Sequence, residues 1–280
     1  MTQGRTQFRD VPTHSIAVGG AVFAYRSYGP ETARPLVVLT HLAANLDSWD
    51  PRVLDGLAQD RRVIAIGYRG VGDSSGEVRS SIAEMATDMI DVIRALGLNR
   101  VDLFGLSMGG MVAQALISQA PDLVDRLILA GSGPTGGPGL TRMTGVMIRG
   151  VLRAAATFTD PRILLFFTRS PVSGRAGRDY VARLAERTTG RDAPVTPGVY
   201  RAQLSAVKKW GASAPGTLAT RGPVMIVHGD SDRMVPPANA YSLARLLPAA
   251  TVTVFPDSGH GVVFQNHAAF VAAARDFLRR

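Results

Sequence analysis

Short β-branched runs alternate with longer stretches of helical period, and this alternation restricts the chain more than any other feature. Parallel strands can be joined only through long crossovers, so such a sequence is read as a parallel or mostly parallel sheet covered by helices, an α/β fold. Segments 36–40, 63–66, 101–104, 127–130, 224–228 and 251–255 read as buried strands. Segments 13–18 and 21–28, joined through Gly19 and Gly20, read as a hairpin at the sheet edge. Between them, 81–96 carries Ile82, Met85, Met89, Ile90 and Ile93 at close to helical spacing and stops before Gly97. Segments 108–119 and 268–278 are further helices, and the apolar stripes of all three are assigned to core packing.

From Gly133 to Gly222 the alternation stops. Helical stretches at 145–158, 178–187 and 200–209 follow one another, bounded by breaker-rich segments at 133–139 and 214–216, so the region reads as an insertion between two strands. The chain's formal charge is +9, and residues 134–222 hold 14 basic and 4 acidic side chains, which places the excess in this one segment. No basic run is interleaved with aromatic residues to form stacking platforms, so no nucleic-acid partner is expected. No apolar run approaches the roughly 18 residues of a membrane span, so no membrane partner is expected either. Residues 1–10 have no apolar core and no small-residue cleavage pattern, which makes a cytoplasmic location the expectation. The chain contains no cysteine, so disulfides, thiolate metal sites and a cysteine nucleophile are excluded.

Gly105-Leu106-Ser107-Met108-Gly109-Gly110 lies between an apolar run and the start of a helical pattern. A serine on such a strand–turn–helix junction is lifted out of the sheet, and the flanking glycines permit the close backbone approach this requires. A serine hydroxyl is a poor nucleophile until a base takes its proton, and the base needs a third group to hold its tautomer. His260 and Asp232 follow the strands at 251–255 and 224–228, and ligands bind at such strand ends in open α/β sheets. Asp230 competes with Asp232 for the acid role, and Asp257 is a weaker candidate. Of the other histidines, His267 is expected at the surface, His14 in the hairpin, and His228 near a strand end beneath the site.

These segments, together with His41-Leu42 and Arg69-Gly70-Val71-Gly72-Asp73-Ser74-Ser75, resemble the α/β-hydrolase fold superfamily over nearly the whole chain. The resemblance is closest to its capped serine esterase and lactonase branch and its cofactor-free haloperoxidase or perhydrolase branch. It implies a mostly parallel eight-stranded sheet flanked by helices, with a helical cap inserted between strands 6 and 7. On that reading, residues 1–133 and 223–280 form the core domain and 134–222 the cap. The family's acid position falls on Asp232. The motif makes the Met108 N–H one oxyanion donor, and the loop after 36–40 supplies the second from Ala43 or else Leu42.

Two positions depart from the family pattern: Leu42 stands where glycine is usual, and Gly67 where relatives carry an acid two residues before Arg69. Arg142, Arg149 and Arg153 either face the pocket and favour an acidic substrate or coat its solvent side, the second being the default. Apolar residues including Met143, Met147, Leu152, Phe158, Phe166, Phe167 and Trp210 pack the cap or wall an acyl pocket. Trp49 fits either role. The resulting expectation is a serine hydrolase of a small carboxylic ester or lactone, with no cofactor and no metal. The same triad would serve a perhydrolase or a carbon–carbon bond hydrolase, and a non-catalytic binding protein is the alternative of a different class. The partner is a small-molecule substrate, and a homodimer through the cap is compatible with the sequence.

Overall fold

The computed structural model describes residues 6–218 and 220–280, so the first five positions of the N-terminal segment read above for a leader lie outside the described residues. Eight strands form one sheet: β1 (His14–Val18), β2 (Ala21–Tyr28), β3 (Leu36–Leu39), β4 (Val63–Ile66), β5 (Val101–Leu106), β6 (Val124–Ala130), β7 (Val224–Gly229) and β8 (Thr251–Phe255), in the order β1-β2-β4-β3-β5-β6-β7-β8. β1 and β2 pair antiparallel, as do β2 and β4, and every other pairing is parallel. The central strands β3, β4, β5 and β7 are buried at every position, which explains their unbroken apolar runs: helices cover both faces of a parallel sheet.

The helices outside the insertion are α1 (Pro51–Leu57), α2 (Ile82–Ala95), α3 (Met108–Gln119), α8 (Ala238–Leu246), α9 (Val262–Gln265) and α10 (His267–Arg279). α2 buries the stripe read from its period, including Ile82, Met85, Met89, Ile90 and Ile93. α3 is buried from Met108 to Ile117, matching a sequence that is apolar nearly all round. Trp49 belongs to the core: it is 1% exposed, and its ring packs 5.5 Å from Phe104, which in turn lies 5.3 Å from Phe270.

Between β6 and β7 the chain forms α4 (Met143–Ala156), α5 (Pro161–Phe166), α6 (Pro171–Leu184) and α7 (Pro197–Ala212). The helix expected at 178–187 thus begins seven residues earlier, because Ser170 caps it by accepting from the Ser173 N–H and Pro171 occupies its first turn. The glycine-rich segment at 133–139 is a series of packed turns: Asn239 Nδ2 donates to Pro138 O at 2.9 Å, and the Gly136 N–H donates to Trp210 O at 3.1 Å.

The insertion is held to the loops that follow β3, β4 and β8. Arg183 on α6 forks onto the Asp50 carboxylate at 2.9 and 2.6 Å, with Asp50 fully buried. Asp192 accepts from the Leu46 N–H at 2.8 Å and the Asp73 N–H at 2.6 Å, while its own N–H donates to Asp47 at 2.9 Å. Asp47 is also paired with the fully buried Arg26 at 2.6 Å. A side chain at Gly72 would run into the Asp192 carboxylate, so the loop after β4 needs glycine there for this close approach.

Candidate active site

The turn between β5 and α3 places Ser107 at φ 57°, ψ −117°, a backbone region that costs a non-glycine residue of order 1–3 kcal/mol. Its surroundings enforce that conformation. A Cβ on Gly105 would run into Gly109 O, one on Gly109 into Leu39 O, and one on Gly110 would lie 2.6 Å from the Ser132 side chain. The flanking glycines therefore let α3 begin directly against the ends of β3 and β5. As the first residue of α3, Met108 has an N–H with no intrahelical acceptor.

Ser107 Oγ lies 2.8 Å from His260 Nε2, and His260 Nδ1 lies 2.7 Å from Asp232 Oδ2. All three side chains are buried. Asp232 Oδ1 accepts from the N–H groups of Met234 (2.8 Å) and Val235 (2.9 Å), which fixes the carboxylate and leaves Oδ2 for the imidazole. Asp230 does not reach the histidine ring; it accepts at 3.2 Å from the N–H groups of Asp257 and Ser258 and so shapes the loop that carries His260. Asp257 points to the insertion instead, accepting from the hydroxyls of Thr168 and Ser170. These bonds hold its carboxyl below the usual carboxylate range.

Among the described residues, none of the remaining histidines is hydrogen-bonded to Ser107. His228 is fully buried, with Nε2 at 2.8 Å from Val235 O and 3.5 Å from Asp232 Oδ2, and burial lowers its pKa. His14 is exposed on β1, and His267 opens α10. His41 is buried, its Nδ1 bonded to Leu42 O at 2.9 Å and its ring edge-on to Phe166 at 5.0 Å. Phe166, from α5, also packs edge-on against His260 at 5.6 Å, and its carbonyl accepts the Gly261 N–H at 2.8 Å.

Burial pushes the His41 imidazole down to about 4. The unfolded side chain protonates near 6.5, so stability is intact above that pH and is lost as pH falls from about 6.5 to 4. The shift amounts to roughly 3 kcal/mol. We expect the wild type to lose about 2–3 kcal/mol more unfolding free energy than His41→Gln between pH 7 and 4.5 in urea titrations. Parallel pH dependences would remove His41 from this role.

Both departures from the family pattern have a local explanation. Leu42 is buried and does not adopt positive φ; the left-handed residue of this loop is Ala43, at φ 57°. A Cβ on Gly67 would lie 2.9 Å from Ser74 Oγ and 3.2 Å from Ala24 O, so an acidic side chain does not fit there as packed. Arg69 is paired instead with Asp88 on α2, at 2.7 and 3.0 Å, and its guanidinium lies over the Phe23 ring.

Of the second-donor candidates, the Ala43 N–H points at a polar group from the insertion: it donates to Gln203 Oε1 at 2.8 Å. Sequence reasoning missed Gln203, although it was signalled by a polar residue on the otherwise apolar stripe Val199, Ala206, Val207 of α7. Ala43 also lines an open groove of about 750 Å³ with Ile148, Val151, Leu152, Val195 and Tyr200. A larger cavity of about 930 Å³ lies among α4, α5 and α6, lined by Arg149, Arg153, Arg169, Arg175, Arg178 and Arg233. Ser107, Asp232 and His260 do not line it. Nor do they line the smaller, apolar groove, which meets the site only through Ala43, a candidate oxyanion donor.

A family profile described as alpha/beta hydrolase fold matches residues 34–267. The chain belongs to the alpha/beta hydrolase fold family. An alpha/beta hydrolase fold protein from Chitinophaga pinensis superimposes with a TM-score of 0.92 at 32% identity, covering 98% of this chain and 99% of that one. This α/β-hydrolase is also 28% identical over 260 residues to a protein of Caulobacter sp. (strain K31) described as a carbamate hydrolase, RutD, covering 89% of this chain and 92% of the relative. It is similarly 28% identical over 265 residues to the 2-hydroxymuconate semialdehyde hydrolase of Pseudomonas sp. (strain CF600), covering 87% and 86%. No helix among the described residues of this α/β-hydrolase is long and apolar enough to cross a membrane.

Proposed function

We propose that this α/β-hydrolase cleaves a small carboxylic ester or lactone through an acyl-enzyme on Ser107. The observation that carries this reading is the continuous relay from Ser107 Oγ through His260 to Asp232, with spacings of 2.8 and 2.7 Å. His260 Nδ1–H donates to Asp232, which leaves the Nε2 lone pair facing the serine hydroxyl. As Oγ attacks the acyl carbon, its proton passes to Nε2, and Asp232 stabilises the imidazolium that forms. The N–H groups of Met108 and Ala43 receive the charge that develops on the carbonyl oxygen. The leaving alcohol takes the proton from His260, and a water activated by the same imidazole then releases the acid.

In the same proposal, residues 134–222 act as a cap over a core formed by 1–133 and 223–280. The apolar groove beside Ala43 supports an apolar acyl or alkyl group in the substrate, a small molecule. The arginine-lined cavity is separate from this groove, and Arg149 and Arg153 are exposed within it. A second reading, carbon–carbon bond hydrolysis by the same three residues, is favoured by the similarity to the semialdehyde hydrolase.

The test is p-nitrophenol release from acetyl, butyryl and octanoyl esters by the wild type and Ser107→Ala, together with peptide mapping after treatment with a fluorophosphonate. The expected result is release that depends on Ser107 and a label confined to its peptide. Folded wild type and variant that are equally inactive would reject ester cleavage. Loss of a dienol chromophore from a ring-cleavage substrate would then favour the second reading.

A further inference from the structure

Gln203 is fully buried, yet its Nε2 has no hydrogen-bond partner among the described residues. A buried amide donor left unpaired costs about 1–3 kcal/mol, so its retention points to an acceptor that arrives with a ligand. Its other end touches the candidate oxyanion hole, since Oε1 accepts the Ala43 N–H at 2.8 Å. A donor of that kind acts on an oxyanion at roughly 2.7–3.1 Å, so Oε1 occupies the place a substrate oxygen must take. The amide bond lengths set Nε2 about 2.3 Å from Oε1, which puts the orphaned donor within about 5 Å of the Ala43 nitrogen. Tyr200, one helical turn before Gln203 on α7, lines the groove that also reaches Ala43.

We propose that Gln203 is a third oxyanion donor, supplied by the insertion. The substrate's carbonyl oxygen takes the place of Oε1 on the Ala43 N–H; the Gln203 side chain withdraws by about one hydrogen-bond length and its amide turns, so that Nε2–H donates to that same oxygen. This rests on the serine hydrolase reading above. The turn is inexpensive because the terminal torsion of a glutamine is broad and roughly two-fold. In the empty site the oxygen must face Ala43, since an NH2 group cannot accept from an N–H; with an oxyanion present, the preference reverses. No proton leaves the amide. Hydrogen bonds to a charged acceptor are about twice as strong as neutral ones, so the contribution is concentrated in the transition state and appears in kcat.

Gln203→Met removes the amide oxygen and the NH2 group while keeping a residue of high helix propensity. With p-nitrophenyl butyrate, kcat is expected to fall about 10- to 100-fold while KM stays equal or drops, because Oε1 no longer competes for Ala43. Gln203→Glu retains the acceptor and loses the donor, and is expected to be slower still at neutral pH. A second readout needs no turnover: butylboronic acid adds to Ser107 Oγ as a tetrahedral anion with an oxygen in the oxyanion position. Its affinity for Gln203→Met should fall by a similar factor, with the thermal midpoint close to wild type.

An unchanged or raised kcat with undiminished boronate affinity would reduce Gln203 to an obstruction and overturn the proposal. A loss expressed only in KM would do the same. Ser107-dependent wild-type activity alongside a fully active Gln203→Met rejects the third donor alone. A wild type that neither hydrolyses the ester nor binds the boronate through Ser107 rejects the hydrolase reading, and the proposal falls with it.

Discussion

Asp232→Asn is expected to lower kcat for p-nitrophenyl esters about 10⁴-fold with little change in KM or in the folded structure. The reason lies in which oxygen is already engaged. Oδ1 accepts the N–H groups of both Met234 and Val235, and those two donors will hold the amide oxygen of an asparagine in the same place. The NH2 group must then replace Oδ2 at 2.7 Å from His260 Nδ1. That nitrogen becomes an acceptor, the ring proton moves to Nε2, and the face toward Ser107 can no longer take a proton. Fluorophosphonate labelling of Ser107 should slow in parallel, while far-ultraviolet circular dichroism stays unchanged. Asp230→Asn is the control: its carboxylate supports the loop through the N–H groups of Asp257 and Ser258 and should have a much smaller effect. A loss below tenfold at Asp232 combined with a large one at Asp230 would transfer the acid role.

Arg183→Met is expected to cost about 3–5 kcal/mol of unfolding free energy. Asp50 is fully buried, caps α1 through the Arg52 N–H, and has both carboxylate oxygens on the Arg183 guanidinium. Removing the arginine strands a carboxylate where water cannot reach it, and its desolvation is no longer offset. The double variant Asp50→Asn/Arg183→Met should recover most of the loss, since the neutral amide still accepts from Arg52 and leaves no buried charge. Urea titrations of the wild type, of Asp50→Asn and Arg183→Met singly, and of the double variant give the coupling directly. A single-variant cost below about 1 kcal/mol would mean that the pair behaves as a solvated surface contact.

The sheet was legible because strands buried on both faces must be continuous in Val, Ile and Leu, as in β3, β4 and β7. Helix starts were less so, and the reason is specific. Apolar period placed α6 and α7 late and passed over α1 and α5, yet each of the four begins with a capping residue followed by proline: Asp50-Pro51, Asp160-Pro161, Ser170-Pro171 and Thr196-Pro197. A capping oxygen and a preset φ determine where a helix begins, while the period reports only which side of it is buried. The candidate trio was legible in its residue types and chain order, because chemistry and strand ends restrict both. The contact between Ala43 and Gln203 spans 160 positions and depends on the packing of the insertion, for which the local pattern carries only a misplaced polar residue. The left-handed turn at Ala43 was equally hidden, since attention falls on Leu42, where glycine is usual.

The two halves of the Ser107–His260 contact are 153 residues apart in the chain, and His260 follows β8, an edge strand that is half exposed. The loop after β8 is tied to the body of the protein by Asp230, by Phe166 and by the burial of residues 258–264, whereas β8 itself pairs with β7 alone. Where mild denaturant opens that half-exposed edge, the imidazole leaves a serine still fixed by the central sheet, so any Ser107-dependent turnover is expected to be lost before the spectroscopic signature of the sheet.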